Sequence, residues 1–399
     1  MVDDVKSPEQ QKEDFKTPDE VAAEQALNTS STDTDSVFSP EPKRTPGNKF
    51  HLDWPPGTKE YLMMGVLLIV IATGISLLIS SQSKSQANIN QISIKKVAPK
   101  PKTTASTLSG LQVDPEVNKR PVTGVMIENS REARPQAALS QASVVFEAIA
   151  EGGITRFLAL FQDTAPENIG PVRSARPYYV QWAIGFDAGY AHVGGSPEAL
   201  ANIKTWGAKD LDQFANGGCY RRIAERAAPH NVYTSISALN QLEASKGYGT
   251  STYTGFARTK GKPAASKTPA AKTIDIRISG PLYNVHYDFN PTTNSYNRSE
   301  GGAPHIDANT NAQISPSVVV AIVLPYSIAG DGYHSQYQTL GTGQAYIFQN
   351  GNVVSGTWTK VDNKSQVTFK DAAGKIIALN PGQTWVTAVG DSGAVTYTP

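Results

Sequence analysis

Cysteine is almost missing from this chain: Cys219 stands alone among 399 residues. That excludes an internal disulfide and any paired-cysteine metal site, so stability must come from core burial. Charge of one sign is also missing. The formal net charge is +1, and no basic stripe marks a nucleic-acid interface, so no nucleic-acid partner is expected. The glycines form neither a G-x-G-x-x-G nor a Walker loop, so no nucleotide cofactor is indicated. The spacings of His192, His230, His305 and Asp307 match no compact zinc pattern, and no metal is expected.

Long apolar runs are equally scarce, with one exception. Tyr61–Ser80 is uncharged over 20 residues, and at about 1.5 Å per residue it matches a hydrocarbon core of roughly 30 Å. It reads as a single-pass transmembrane helix that makes the membrane a partner. A signal peptide is the alternative, but such a core is shorter and does not follow a 60-residue polar tail. The flanking lysines, Lys49 and Lys59 against Lys84 and Lys95, leave the orientation open.

Residues 1–60 read as a disordered tail, with eleven acids against three bases in the first 42 residues and too few large apolar side chains to offset ordering entropy. Thr17–Leu27 is the exception, with a Thr cap, Pro at the first helical position and acids in the first turn. Residues 81–118 read as a flexible linker, about 35 Å end to end by random-coil scaling.

From Arg120 the pattern becomes that of a folded α/β domain, bounded at 119–258. Val122–Ile127, Val144–Ile149, Ile154–Phe161 and Gly189–Val193 are apolar, β-branched or aromatic and read as strands. Ser196–Trp206 reads as a helix with Ser as cap, Pro197 in the first turn and Gly207 as stop. A second helix starts near Thr234 or Ser235 and ends at Gly247. The Lys/Ala/Pro-rich piece 259–272 reads as a hinge. Beyond it, 273–399 is a β-rich, mainly antiparallel domain with a hairpin turn at Asn350–Gly351. Trp358 and Trp385 read as core aromatics of that domain.

Four segments carry a family resemblance: EGGITRFLALF, GPVRSARP, AHVGGSPEAL and APHNVYTS. Together they resemble the YerB-like family of bacterial envelope lipoproteins, itself a family of unknown function. GTGQAYIFQNGNVVSGTWTK and LNPGQTW resemble that family's separate C-terminal domain, so the likeness covers nearly all of residues 120–390. It implies an N-terminus in the cytoplasm and residues 81–399 outside the cytoplasmic membrane. The chain departs from the family in having no lipobox cysteine, and the apolar run would replace the lipid anchor.

The candidate site residues cluster in these motifs. Arg173, Ser174 and Arg176 precede a helix that begins near Pro177, where free N–H groups and forked donors favour an anion; the plainer reading pairs the arginines with Glu147 and Glu151. Those two carboxylates, four residues apart, share one face if the strand runs straight. They are catalytic candidates with His192 and His230, or else salt-bridge partners for Arg134, Arg156 or Arg173. Gly194, Gly195 and Ser196 offer an anion-binding turn, although Ser before Pro is ordinary helix capping. Asn231 lies in the APHN motif. Tyr296, Arg298 and the run Glu300–Asp307, His305 among them, fall in a segment resembling the family's Y-x-R-x-x-G-G-x-P-H-I-D pattern; their polarity places them facing the first domain's site across an interdomain cleft, the plainer reading being an ordinary polar interface.

Three functions follow. The first is binding of an anionic envelope component through the Arg/Glu/His-lined site. The second is an envelope glycan or phosphopolymer hydrolase or transferase. The third is a scaffold for envelope proteins.

Overall fold

The computed structural model describes residues 70–75 and 102–399. The expected tail 1–60, its Thr17–Leu27 helix and the linker as far as residue 101 lie outside the described residues. Of the Tyr61–Ser80 run only 70–75 are described, as a piece of helix. Among the described residues no helix is long and apolar enough to cross a membrane, so the single-pass helix expected from hydropathy is not found. Residues 102–118 are folded: Thr104–Ala105 pairs with Gln112–Val113, Leu108 is fully buried, and Ser106 donates to Asp163 at 2.6 Å.

Fifteen strands in two sheets carry the architecture. In chain order they are β1 (Thr123–Glu128), β2 (Val144–Glu151), β3 (Ile154–Phe161), β4 (Gly189–His192), β5 (Lys209–Asp212), β6 (Thr273–Ile276), β7 (Val285–Asn290), β8 (Ser295–Glu300), β9 (Ala303–Pro304), β10 (Val318–Val323), β11 (Gly341–Gln349), β12 (Asn352–Lys360), β13 (Thr368–Lys370), β14 (Thr384–Val389) and β15 (Val395–Thr398). Within residues 102–399 the α-helices are α1 (Pro177–Ile184), α2 (Pro197–Trp206) and α3 (Ile236–Ser245).

Local chemistry sets these boundaries. β2 and β3 are joined by Gly152–Gly153, both at positive φ (54° and 80°), a primed turn that suits a hairpin's twist. Asn350 and Gly351, at 58° and 77°, do the same between β11 and β12. Ser196 caps α2 by accepting from Ala199 N–H at 3.3 Å, and Gly207 stops it at φ 72°. Ser235 caps α3 by accepting from Ala238 N–H at 3.1 Å.

The larger sheet runs β13, β12, β11, β10, β14, β2, β3, β1, β4, β5. It is mixed: β14 lies parallel to both of its neighbours, with Val386 opposite Val320 on one side and Phe146 on the other. Strands from both halves of the chain therefore share one sheet. The second sheet runs β9, β8, β7, β6, β15 and is antiparallel.

The expectation of an α/β domain followed by a mainly antiparallel β domain is corrected accordingly. The described molecule is mostly β, with few and short helices. The physical reason lies in pairing: alternation within a segment marks a strand but does not choose its partner. The run Thr384–Val389 reads as one more strand of an antiparallel domain, whereas Trp385 and Val386 in fact lie parallel to Val145 and Phe146, some 240 positions away in the chain.

One core cluster packs α1 and α2 with Phe146, Leu158 and Leu160, and draws in Ile274, Val285 and Tyr287 of the second sheet. The other packs α3 with Val125, Ile127, Phe157, Ala159 and Trp385. Helices thus cover both faces around β1 to β3. Trp358 and Trp385 are both core aromatics, at 1% and 0% exposure.

Candidate functional site

The far end of β1, where Glu128 gives way to Asn129 and Ser130, separates two buried polar clusters, one on each face of the sheet. A bulge creates this division. The β2–β3 register shifts between Ile149 and Glu151, so the straight-strand spacing that would place Glu147 and Glu151 on one face does not hold. Glu147 lies opposite Phe157 and shares a face with Trp385, whereas Glu151 meets Arg156, which lies opposite Ala148 on the other face.

On the Glu151 face the carboxylate is bound by Arg156 and, at 2.6 Å, by Arg176. Arg156 also donates to the Ser174 carbonyl at 3.0 Å, and Arg176 to that of Ala175 at 2.7 Å. Arg173 faces Glu128 at 3.2 Å. Burial pushes the Glu128 carboxyl up, but the His230 hydrogen bond and the Arg173 and His230 charges outweigh it, and its pKa is lowered. His230 Nδ1 meets both Glu128 Oε2, at 3.0 Å, and the Ser130 hydroxyl, at 3.2 Å. A serine–histidine–acid relay needs one partner on each ring nitrogen, and here a single nitrogen serves both.

On the opposite face Arg298, fully buried, donates from Nη2 to Glu147 at 3.0 Å, from Nη1 to the Tyr287 hydroxyl at 3.0 Å and from Nε to His305 Nδ1 at 2.9 Å. Its guanidinium lies 4.4 Å from the Trp385 ring centroid. Trp385 Nε1–H donates to Glu147 at 2.8 Å. His305 passes its other nitrogen to Gln136 at 2.9 Å; burial, reinforced by the Arg298 and Arg134 charges, lowers its pKa well below the ordinary value and keeps it neutral. Glu300 Oε1 accepts from Asn129 at 2.6 Å and faces Arg134 at 3.3 Å. Burial, partly offset by Arg298, raises Glu300 to about 7.

This second cluster opens on a pocket of about 440 Å³ bounded by Arg134, Pro135, Glu300, Ala303, Pro304, His305 and Ile306. Arg134 is held by Asn129 and the Leu282 carbonyl, and 22% of its side chain stays exposed. A separate pocket of about 420 Å³ lies between Tyr178, Tyr326, Tyr337, Glu198 and Ser327.

The structure therefore joins Arg298, His305 and Glu147 in one cluster and Arg173, Ser174, Arg176, Glu151 and His230 in another. The Gly194–Ser196 turn lies against the Arg173–Arg176 segment, where the Gly194 carbonyl accepts from Ala175 N–H at 2.9 Å. Its Gly194 N–H donates to Asp212 at 2.9 Å and its Ser196 N–H to the Ala175 carbonyl, while His192 is held by the Gly194 carbonyl, Asp210 and Asp212. Asn231 braces a hairpin, accepting from Arg222 at 2.8 Å. The run Glu300–Asp307 does meet residues of the first half, through Glu300 to Asn129 and Arg134; the sequence does not single out Asn129, and marks Arg134 only as a salt-bridge partner. The signal for Asn129 and Arg134 is the polar burst ENSREARPQ directly after an apolar strand. Among the described residues no cluster of three or more His, Cys, Asp or Glu could hold a metal.

Residues 108–249 match the family described as protein of unknown function (DUF3048), N-terminal domain, and residues 274–386 match its C-terminal domain. The protein YerB of Bacillus subtilis (strain 168), whose name provisionally makes it a lipoprotein, is 32% identical over 293 residues, 71% of this chain and 86% of that one. The chain belongs to the YerB-like family. A crystal structure of YerB from Bacillus subtilis, 30% identical, superposes on 74% of this chain and all of its own with a TM-score of 0.66. The YerB-like family is one of unknown function, so its site must be argued from geometry.

Proposed function

We propose that this YerB-like chain is an extracytoplasmic binding protein that captures an acidic cell-envelope component in the pocket bounded by Arg134, Glu300 and His305. Kinship with a protein named as a lipoprotein supports the location outside the cytoplasmic membrane. The observation that carries the binding reading is Arg134. It is the partly exposed guanidinium on the pocket wall, and its counter-carboxylate Glu300, raised to about 7, is only half ionised at neutral pH. Arg176 and Arg298, by contrast, are buried against Glu151 and Glu147.

Hydrolysis or group transfer finds less support. Glu147 and Glu151, the carboxylates proposed for acid–base work, are each tied to arginine, and His192 has Gly194, Asp210 and Asp212 as its polar partners. The full-length chain, incubated with solubilised envelope polymers, should retain acidic material. Arg134→Ala should weaken that capture about 10- to 100-fold, as expected for loss of a charge-assisted contact worth roughly 1.5–3 kcal/mol. Unchanged capture by a variant of unchanged melting temperature would contradict the assignment.

A further inference from the structure

Resting on the binding reading above, the chemistry of the ligand follows from how the pocket is built. Its walls are mostly apolar: Pro135, Ala303, Pro304 and Ile306 surround one arginine, one carboxyl group and the His305 ring. A glycan or polyphosphate would need many more donors to replace its lost water. A small acid with a compact apolar arm needs one cation and a dry wall, and about 440 Å³ is ample for it.

The charges narrow the choice further. Glu147 and Arg298 neutralise one another, and His305 is neutral. Arg134 and Glu300 are then the pair whose balance can change. The groups facing Glu300 are Asn129 and Arg134 from the segment after β1, Glu147 from β2, Tyr283 before β7, Tyr287 from β7, Arg298 from β8 and His305 after β9. Glu300 Oε1 is engaged by Asn129 and Arg134, but Oε2 is buried without a hydrogen-bond partner. It lies 3.6 Å from His305 Nδ1, whose lone pair already accepts from Arg298 Nε. A proton can therefore settle on Oε2 without breaking any existing bond.

We infer that the pocket takes up a carboxylic acid with a small apolar arm, such as the free C-terminus of a short peptide of small residues, together with one proton. The ligand carboxylate replaces Glu300 as the counter-ion of Arg134. Glu300 gains an O–H bond at Oε2 with a proton from solvent, and no other covalent bond forms or breaks. Net charge in the pocket is conserved.

Isothermal titration of the full-length chain tests this, with acetyl-dialanine as free acid, its C-terminal amide and inorganic phosphate as probes, in two buffers of different ionisation heat. The free acid should bind and the amide should not. Affinity should rise about tenfold from pH 8 to pH 6, with close to one proton taken up at pH 8 and far fewer at pH 6. Glu300→Gln should abolish the proton uptake and flatten the pH dependence. Ala303→Trp, which fills the pocket from an exposed strand position and so spares the fold, should abolish binding. Acid binding without proton uptake, or undiminished in Arg134→Ala, would overturn the inference. Binding of phosphate but not of the acid would overturn the carboxylate assignment and leave the anion-binding reading standing. If neither the probes nor envelope material bound, that reading would fall as well.

Discussion

Glu300 shows how one buried carboxyl group ties stability to function. Its pKa of about 7 in the fold lies above the unfolded value of 4.5, so the unfolded chain releases the proton first as pH rises. The stabilisation is fully present below 4.5 and lost as pH passes through about 7. His305 works in the opposite direction: its lowered pKa makes the unfolded chain the better proton acceptor below 6.5, so it erodes stability as pH falls. The two cancel in part, and a variant is needed to separate them. Glu300→Gln should stabilise the full-length chain at pH 8 by on the order of 1–3 kcal/mol, a gain that vanishes by pH 4.5. Urea unfolding at both pH values measures it, and a gain independent of pH would refute the assigned pKa direction. Arg298 and His305 could be picked out from the sequence because they sit in a dense polar motif. Glu300 opens the run Glu300–Asp307 of the same motif, but its partners Asn129 and Arg134, about 170 residues earlier, could not be read from it.

Among the elements, those set by neighbouring residues were legible and those set by distant pairing were not. α2 starts and stops where Ser196, Pro197 and Gly207 place it, because capping is local chemistry. The bulge in β2 was invisible, because it belongs to the β2–β3 pairing and not to either strand's composition. It moves Glu151 to the face opposite Glu147 and so dissolves the paired-carboxylate site that even spacing suggested. Ser196 separates capping from catalysis in a direct way. Ser196→Ala should cost about 1 kcal/mol, the usual loss of an N-cap, seen as a lower melting temperature with envelope capture intact. Loss of capture at unchanged stability would return Ser196 to the list of ligand contacts.

At the scale of the whole molecule, β14 joins the two halves by lying between β10 and β2. The pocket draws on both: Arg134 and Pro135 come from the segment after β1, while Glu300 to Ile306 come from β8, β9 and the chain beyond them. The motif around Glu300–Asp307 was legible as facing the first half, but the residue that meets it there, Arg134, was not, because a site assembled in this way cannot be read from either half alone. The most direct measurement blocks each of the two described pockets in turn. Ala303→Trp fills the Arg134 pocket and Ser327→Trp the tyrosine-lined one, both from exposed positions, and capture of acidic envelope material by the full-length chain is then compared. The account predicts that Ala303→Trp abolishes capture and Ser327→Trp leaves it at the wild-type level. The reverse result, with capture lost only when the tyrosine-lined pocket is filled, would contradict it.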